Sequence, residues 1–243
     1  MIKRFIGLVL SVLVVVGSIS VDVWASSEKV LLTADEKLEI SRNLDELEVS
    51  AETQEKLIDK LENGELWDCM KEENVSAFND MEFDFTPDTP VKRMVFEDGS
   101  VLQQVVDFEN ANIARGFSRN GDSVQTYSAM RTTYENVLIG VANGLSGAGF
   151  YATYVIDWNA HNDGIISVKD PYCKVVGGDY SEMSVTINQS YENYTKKKPA
   201  EATYSVHVTY LASLGAAETF IIKMYVGNDK MVYGKLGEVS FSY

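Results

Sequence analysis

Phe150-Tyr-Ala-Thr-Tyr-Val-Ile-Asp157 and Thr203-Tyr-Ser-Val-His-Val-Thr-Tyr210 decide the fold. In both stretches bulky side chains alternate with small or polar ones at a period of two. A strand sends successive side chains to opposite faces, so this pattern buries one face of a sheet and wets the other. Tyr, Val, Ile and Thr are also the residues that pack best on a pleated, half-buried surface.

The same period runs outward from these two segments. Val91–Glu97, Ser100–Phe108, Ser123–Tyr134, Glu135–Ala142, Gly149–Trp158, Ile165–Lys169, Glu182–Ser190, Thr203–Ala212, Thr219–Val226, Met231–Gly234 and Glu238–Tyr243 all read as strands. Asp98-Gly99, Asn143-Gly144 and Asn162-Asp163-Gly164 punctuate them with turn chemistry. No helical crossover separates the strands, which argues against a parallel α/β sheet. The expected architecture is mainly β: an antiparallel β-sandwich or barrel over residues 86–243.

Residues 26–85 read differently, as an acidic helical segment. Thr33-Ala-Asp-Glu36 has the form of a capping box, and Ile40, Leu44 and Leu47 follow at helical spacing. Ser50 is a second N-cap. Leu57, Ile58 and Leu61 make the next apolar face, and Asn63-Gly64 closes that helix. Each stripe is narrow, so these helices are expected to pack on another body or to serve as a pro-segment or docking arm.

Residues 1–25 read as an address. Lys3 and Arg4 precede an uncharged run from Phe5 to Val21, and Val23-Trp-Ala25 supplies a small-x-small exit. That is the form of a secretory signal peptide cleaved after Ala25. The run is short for a membrane span, which wants about 20 apolar residues. Secretion to the extracellular space, with no membrane attachment after cleavage, is the expectation.

The chain of 243 residues carries a formal charge of −15. Lys3, Arg4 and Asp22 leave the signal segment at +1, so the remainder is more acidic still. Such a balance repels nucleic-acid phosphates and anionic lipid. Cys69 and Cys173 are the two cysteines. In an oxidising compartment they support either one bridge, worth roughly 4–5 kcal/mol for a loop of about a hundred residues, or two buried free thiols.

Motifs for chemistry are sparse. The two histidines, His161 and His207, form no zinc motif, and nothing calls for a cofactor or a metal. His207 alternates with strand residues. Asn159 to Asp170 has some of the spacing of a calcium loop, but His161 occupies its third position and the flanks are strands, so it reads as a turn. Gly144-Leu-Ser-Gly-Ala-Gly149 lacks the last glycine of a nucleophile elbow. Asp68-Cys69 has the order found in secreted cysteine peptidases, yet Glu72 and Glu73 oppose a thiolate there. Tyr127, Tyr134, Tyr151, Tyr154, Trp158, Tyr204 and Tyr210 are either half-buried sheet residues or a sugar-stacking surface. Tyr151, Asp157, Trp158 and His161 make the candidate binding surface.

The run Thr53-Gln-Glu-Lys-Leu-Ile-Asp-Lys-Leu-Glu-Asn-Gly-Glu-Leu-Trp-Asp-Cys69, followed by Val95-Phe-Glu-Asp-Gly99, resembles small exported proteins of Gram-positive Firmicutes. Phe150-Tyr-Ala-Thr-Tyr to Pro199-Ala200 is similar to domains of unknown function in such proteins. The resemblance implies export and a β-sandwich, and it transfers no catalytic residue. The expected function is non-catalytic recognition of an extracellular protein or glycan. The alternative is a secreted hydrolase, directed at cell wall or glycan, using carboxylates or a Cys69–histidine pair.

Overall fold

A computed structural model describes residues 29–80, 83, 85–109, 111–118, 129–158, 161–211 and 217–234. The signal segment, the strand expected at Glu238–Tyr243 and the first part of the one expected at Ser123–Tyr134 lie outside them.

The alternating segments form two antiparallel sheets packed as a sandwich. In the first, β1 (Val91–Val95), β2 (Val101–Asp107), β4 (Ala129–Ala142), β5 (Ser146–Asp157) and β6 (Gly164–Val175) lie side by side in that order. β3 (Asn112–Ser118) joins them by pairing with the opening half of β4. The second sheet runs β10 (Lys230–Gly234), β9 (Ala217–Gly227), β8 (Ala200–Thr209), β7 (Asp179–Gln189).

Phe150, Ala152 and Tyr154 on β5 face Tyr204, Val206 and Val208 on β8, and all are buried. The rings of Phe150 and Tyr204 stack across the sheets at 6.0 Å. The Tyr204 hydroxyl donates to the backbone carbonyl of Tyr172 on β6 at 2.8 Å, so the ring is buried without orphaning its polar end. Burying each such ring contributes roughly 1.5–3 kcal/mol. Tyr154, Tyr204 and Tyr210 are therefore core residues rather than a sugar platform.

Two differences from the expected strands have local causes. Ser123–Tyr134 and Glu135–Ala142 are not two strands: β4 runs through the boundary on a bulge, where Asn136 takes φ +60° between Tyr134 and Val137. β6 continues past Lys169 and Pro171 to Val175, because β6 is an edge strand and Asp170, at φ +48°, bulges it there. β3 was not expected at all. In the β1–β2 hairpin only Gly99 is left-handed, at φ +83°. Gly99 N–H donates to Phe96 C=O and Phe96 N–H to Ser100 C=O, so the loop is a three-residue turn with a glycine bulge rather than a two-residue turn.

The helical segment caps one end of the sandwich. α1 (Ala34–Glu46) begins on the reciprocal Thr33–Glu36 capping box, and α2 (Ala51–Glu62) on Ser50. A 3-10 turn at Asp68–Met70 and α3 (Glu72–Asp80) follow. Leu44 and Trp67 press on the β4–β5 turn so closely that a Cβ at Gly144 would meet them at 2.7 and 3.2 Å. Asn43 donates to Gly144 C=O at 3.0 Å, and Arg93 of β1 donates to Leu47 C=O at 2.7 Å. Ile40, Leu44, Leu57, Leu61, Trp67 and Phe78 are fully buried and belong to one core with the sheet residues. The thin stripes thus find their partner in the sandwich end. Among the described residues no helix is long and apolar enough to cross a membrane.

Candidate functional site

The end of the sandwich opposite the helices is built from turns. β5 leaves at Asp157 and β6 returns at Gly164; β7 leaves at Gln189 and β8 returns at Ala200; β9 and β10 are joined by Asn228-Asp229. Both central residues of that last turn are left-handed, at φ +48° and +61°, the form that suits the twist of a tight hairpin.

Two carboxyls tie these turns together. Asp163 Oδ1 accepts from Asp157 N–H at 2.6 Å, and its Oδ2 accepts from Asp229 N–H at 2.7 Å. Glu192, from the β7–β8 loop, accepts from Asp163 N–H at 3.2 Å and from Asn228 N–H at 3.1 Å. Glu192 N–H in turn donates to Asp163 C=O at 2.8 Å. Asp163 is wholly buried, and Asp157 and Glu192 nearly so. Burial pushes the Asp163 carboxyl up to about 7; the two backbone donors pull against that, and the neighbouring Glu192 and Asp229 charges add to it. Burial also raises Asp229, with His161 pulling the other way.

Aromatic side chains ride on this frame. Trp158 is 42% exposed and donates to Thr132 Oγ1 at 3.3 Å. Tyr191 and Tyr194 are similarly open. The His161 ring stacks on Tyr194 at 3.8 Å. Tyr191 lies against Gly164, where a Cβ would come within 2.5 Å of its ring.

The expected surface of Tyr151, Asp157, Trp158 and His161 is therefore divided. Trp158 and His161 share the loop end. Asp157 is buried beneath it. Tyr151 stands on the outer face of the first sheet, opposite Leu138 and Lys169, six residues or roughly 20 Å along the strand from Asp157. Asp163, Glu192, Asp229, Tyr191 and Tyr194 were missed. Their one local signal was a carboxylate in each turn, which any acidic chain provides by chance. Among the described residues no group of three or more His, Cys, Asp or Glu is arranged to hold a metal ion.

Cys69 and Cys173 are free thiols, not a disulfide. Cys69 is held under the helical cap, where its N–H donates to Ser100 Oγ at 3.0 Å, whereas Cys173 lies on β6 opposite Ala148. Burial pushes the Cys69 thiol up to about 12, and the Asp98 and Asp68 charges add to this. His161 is at the other end of the molecule. His207 lies on the outer face of the second sheet, 3.3 Å from Thr219 Oγ1. Neither histidine is thus placed beside Cys69. An open cleft of about 540 Å³ lies between α2 and the β1–β2 hairpin, but the Lys60 and Asp98 side chains that line it are paired to each other.

No protein-family model matches the chain, and no curated protein matches it in sequence. Among solved structures it is similar to the hypothetical protein lmo2686 of Listeria monocytogenes EGD-e, at 17% identity over 59% of this chain and 91% of that one. The TM-score of that likeness is 0.32, too low to carry an argument about either fold or function.

Proposed function

We propose that this is an exported, non-catalytic module that recognises an extracellular protein or glycan through the loop end of its sandwich. The supporting observation is the set of exposed aromatics, Trp158, Tyr191 and Tyr194, on turns fixed from below by buried carboxyls. Flat amphipathic rings on a rigid frame stack on sugars or anchor in protein pockets with little ordering entropy to lose. The acidic balance makes nucleic acid and anionic lipid poor partners. The basic-then-apolar start of the chain supports export.

The test is binding of the purified chain to cell-wall glycan fragments and to extracellular protein extracts, read by Trp fluorescence and co-sedimentation. Trp158→Ala or Tyr194→Ala weakens binding by about tenfold or more. Tyr151→Ala, on the sheet face, leaves it unchanged. Binding that ignores both loop-end substitutions, or no binding to either class, overturns the reading.

A further inference from the structure

The left-handed Asn228-Asp229 turn belongs to the second sheet, yet both its N–H groups are captured from outside that hairpin. Asp163, at the head of β6 in the first sheet, takes the Asp229 N–H, and Glu192 takes the Asn228 N–H. Asp163 also holds the last residue of β5 through Asp157 N–H. One buried carboxyl thus links the ends of both sheets. Among the described residues no Lys or Arg pairs with Asp163 or Glu192.

We propose that this carboxyl pair is a pH-operated latch, closed when Asp163 is protonated and loosened as it ionises, which sets the spacing of the two sheets' turns at the loop end. The groups around it favour one sign. Asp157 at the end of β5, Glu192 in the β7–β8 loop and Asp229 in the β9–β10 turn are all carboxyls. The nearby basic groups are Arg131, opposite Asp157 on β4, Lys230 after Asp229, and the His161 imidazole in the β5–β6 turn; Tyr191 and Tyr194 complete the titratable set. An ionised Asp163 adds a charge to a buried site already crowded with carboxylates. The two backbone donors soften that penalty, but the carboxyl still sits at about 7 when folded. In an opened turn it returns to the ordinary carboxylate value. Opening therefore grows easier as pH rises from that ordinary value to about 7, by up to about tenfold per pH unit, and levels off above it.

The experiment is amide hydrogen exchange on the full chain, converted to protection factors so that intrinsic exchange is removed. The amides of Asp157 and Asp229 are followed from pH about 4.5 to about 8.5. In the wild type their protection falls with rising pH and then flattens. In Asp163→Asn, which keeps an acceptor and loses the charge, the fall disappears. Wild-type protection that is flat, or an unchanged fall in Asp163→Asn, overturns the latch. Should Asp163→Asn not fold, Glu192→Gln must move the fall to lower pH, because it removes a neighbouring negative charge; an unmoved midpoint overturns it equally. The readout is local exchange, so it stands or fails apart from any recognition role.

Discussion

Gly149 shows how tightly the outer face of the first sheet is composed. It pairs with Gly140 on β4 and with Tyr172 on β6, and the Tyr172 ring lies over both glycines. A Cβ on Gly149 would run into the Ile139 carbonyl oxygen and come within 2.8 Å of Tyr172 Cε1. Backbone cannot yield as a flexible side-chain tip can. Gly149→Ala is therefore expected to destabilise the fold by about 1–3 kcal/mol, the range for forced overpacking. Gly147, two residues earlier on the same face, meets nothing nearer than the Val141 carbonyl oxygen at 3.8 Å. Gly147→Ala should be neutral or slightly stabilising, since it removes unfolded-state entropy without a clash. Urea unfolding of the two variants side by side checks the contrast, and equal effects would deny the Tyr172 cradle its role.

At the scale of elements, the clasp between α2 and the β1–β2 hairpin is a charged joint of the helical cap. Lys60 reaches Asp98 at 2.8 Å and Asp68 at 3.1 Å, and Lys71 also pairs with Asp68. Asp98 further accepts from Asp68 N–H and from both the N–H and hydroxyl of Ser100. Burial works to raise both carboxyls, but hydrogen bonds from Lys60 and Ser100 hold Asp98 below its usual range, and those from Lys71 and Lys60 do the same for Asp68. Burial likewise works against the Lys60 ammonium, and its two carboxylate partners outweigh it and raise the group. Depressed carboxyls stabilise the fold above their ordinary range and lose that contribution as pH falls through the depressed values. The raised Lys60 contributes below its ordinary value and stops only in strong alkali. Asp98→Asn is thus expected to cost about 2 kcal/mol near neutral pH, as for hydrogen bonds to charged groups. The loss should shrink toward pH about 3, seen by denaturant titration at both values. A loss that did not depend on pH would mean that Asp98 acts as a neutral acceptor only.

Much of this element-level structure was legible locally. The Thr33 and Ser50 caps, the Asn63-Gly64 stop and the alternation of β5 and β8 each depend on neighbours within a few residues. What was illegible depends on distant partners. A carbonyl of Tyr172 must be present before the Tyr204 hydroxyl can be buried. Asp163, Glu192 and Asp229 come from three separate turns, and only the pairing order of the sheets brings them together. The Asn136 bulge hid the continuity of β4, since one extra residue inverts the alternation beyond it.

For the whole molecule the question is whether the helical cap is a separable arm or part of the folding unit. Val30, Leu44, Leu57 and Trp67 share one buried cluster with Val101, Leu145, Val176 and Leu211 from the sandwich. Stripping the cap would expose these sheet residues together with the backbone of three turns, including Gly99, which packs against Thr53. Trp67 reports the cap directly: its ring is fully buried and its Nε1 donates to Leu57 C=O at 2.8 Å. In a Trp158→Phe chain beginning at Ser26, Trp67 is the remaining tryptophan. Its fluorescence then follows the helical layer while the β-sheet circular dichroism signal follows the sandwich. A single folding unit requires the two transitions to coincide in urea, with one midpoint and one slope. Coincidence is the expected result, because cap and sheet residues share one buried cluster and Asn43–Gly144, Arg93–Leu47 and Lys60–Asp98 join the two layers. A Trp67 transition at lower urea than the sheet transition would instead make the cap a detachable arm, and would mean that the contacts at Gly144, Arg93 and Asp98 contribute too little to couple the two layers.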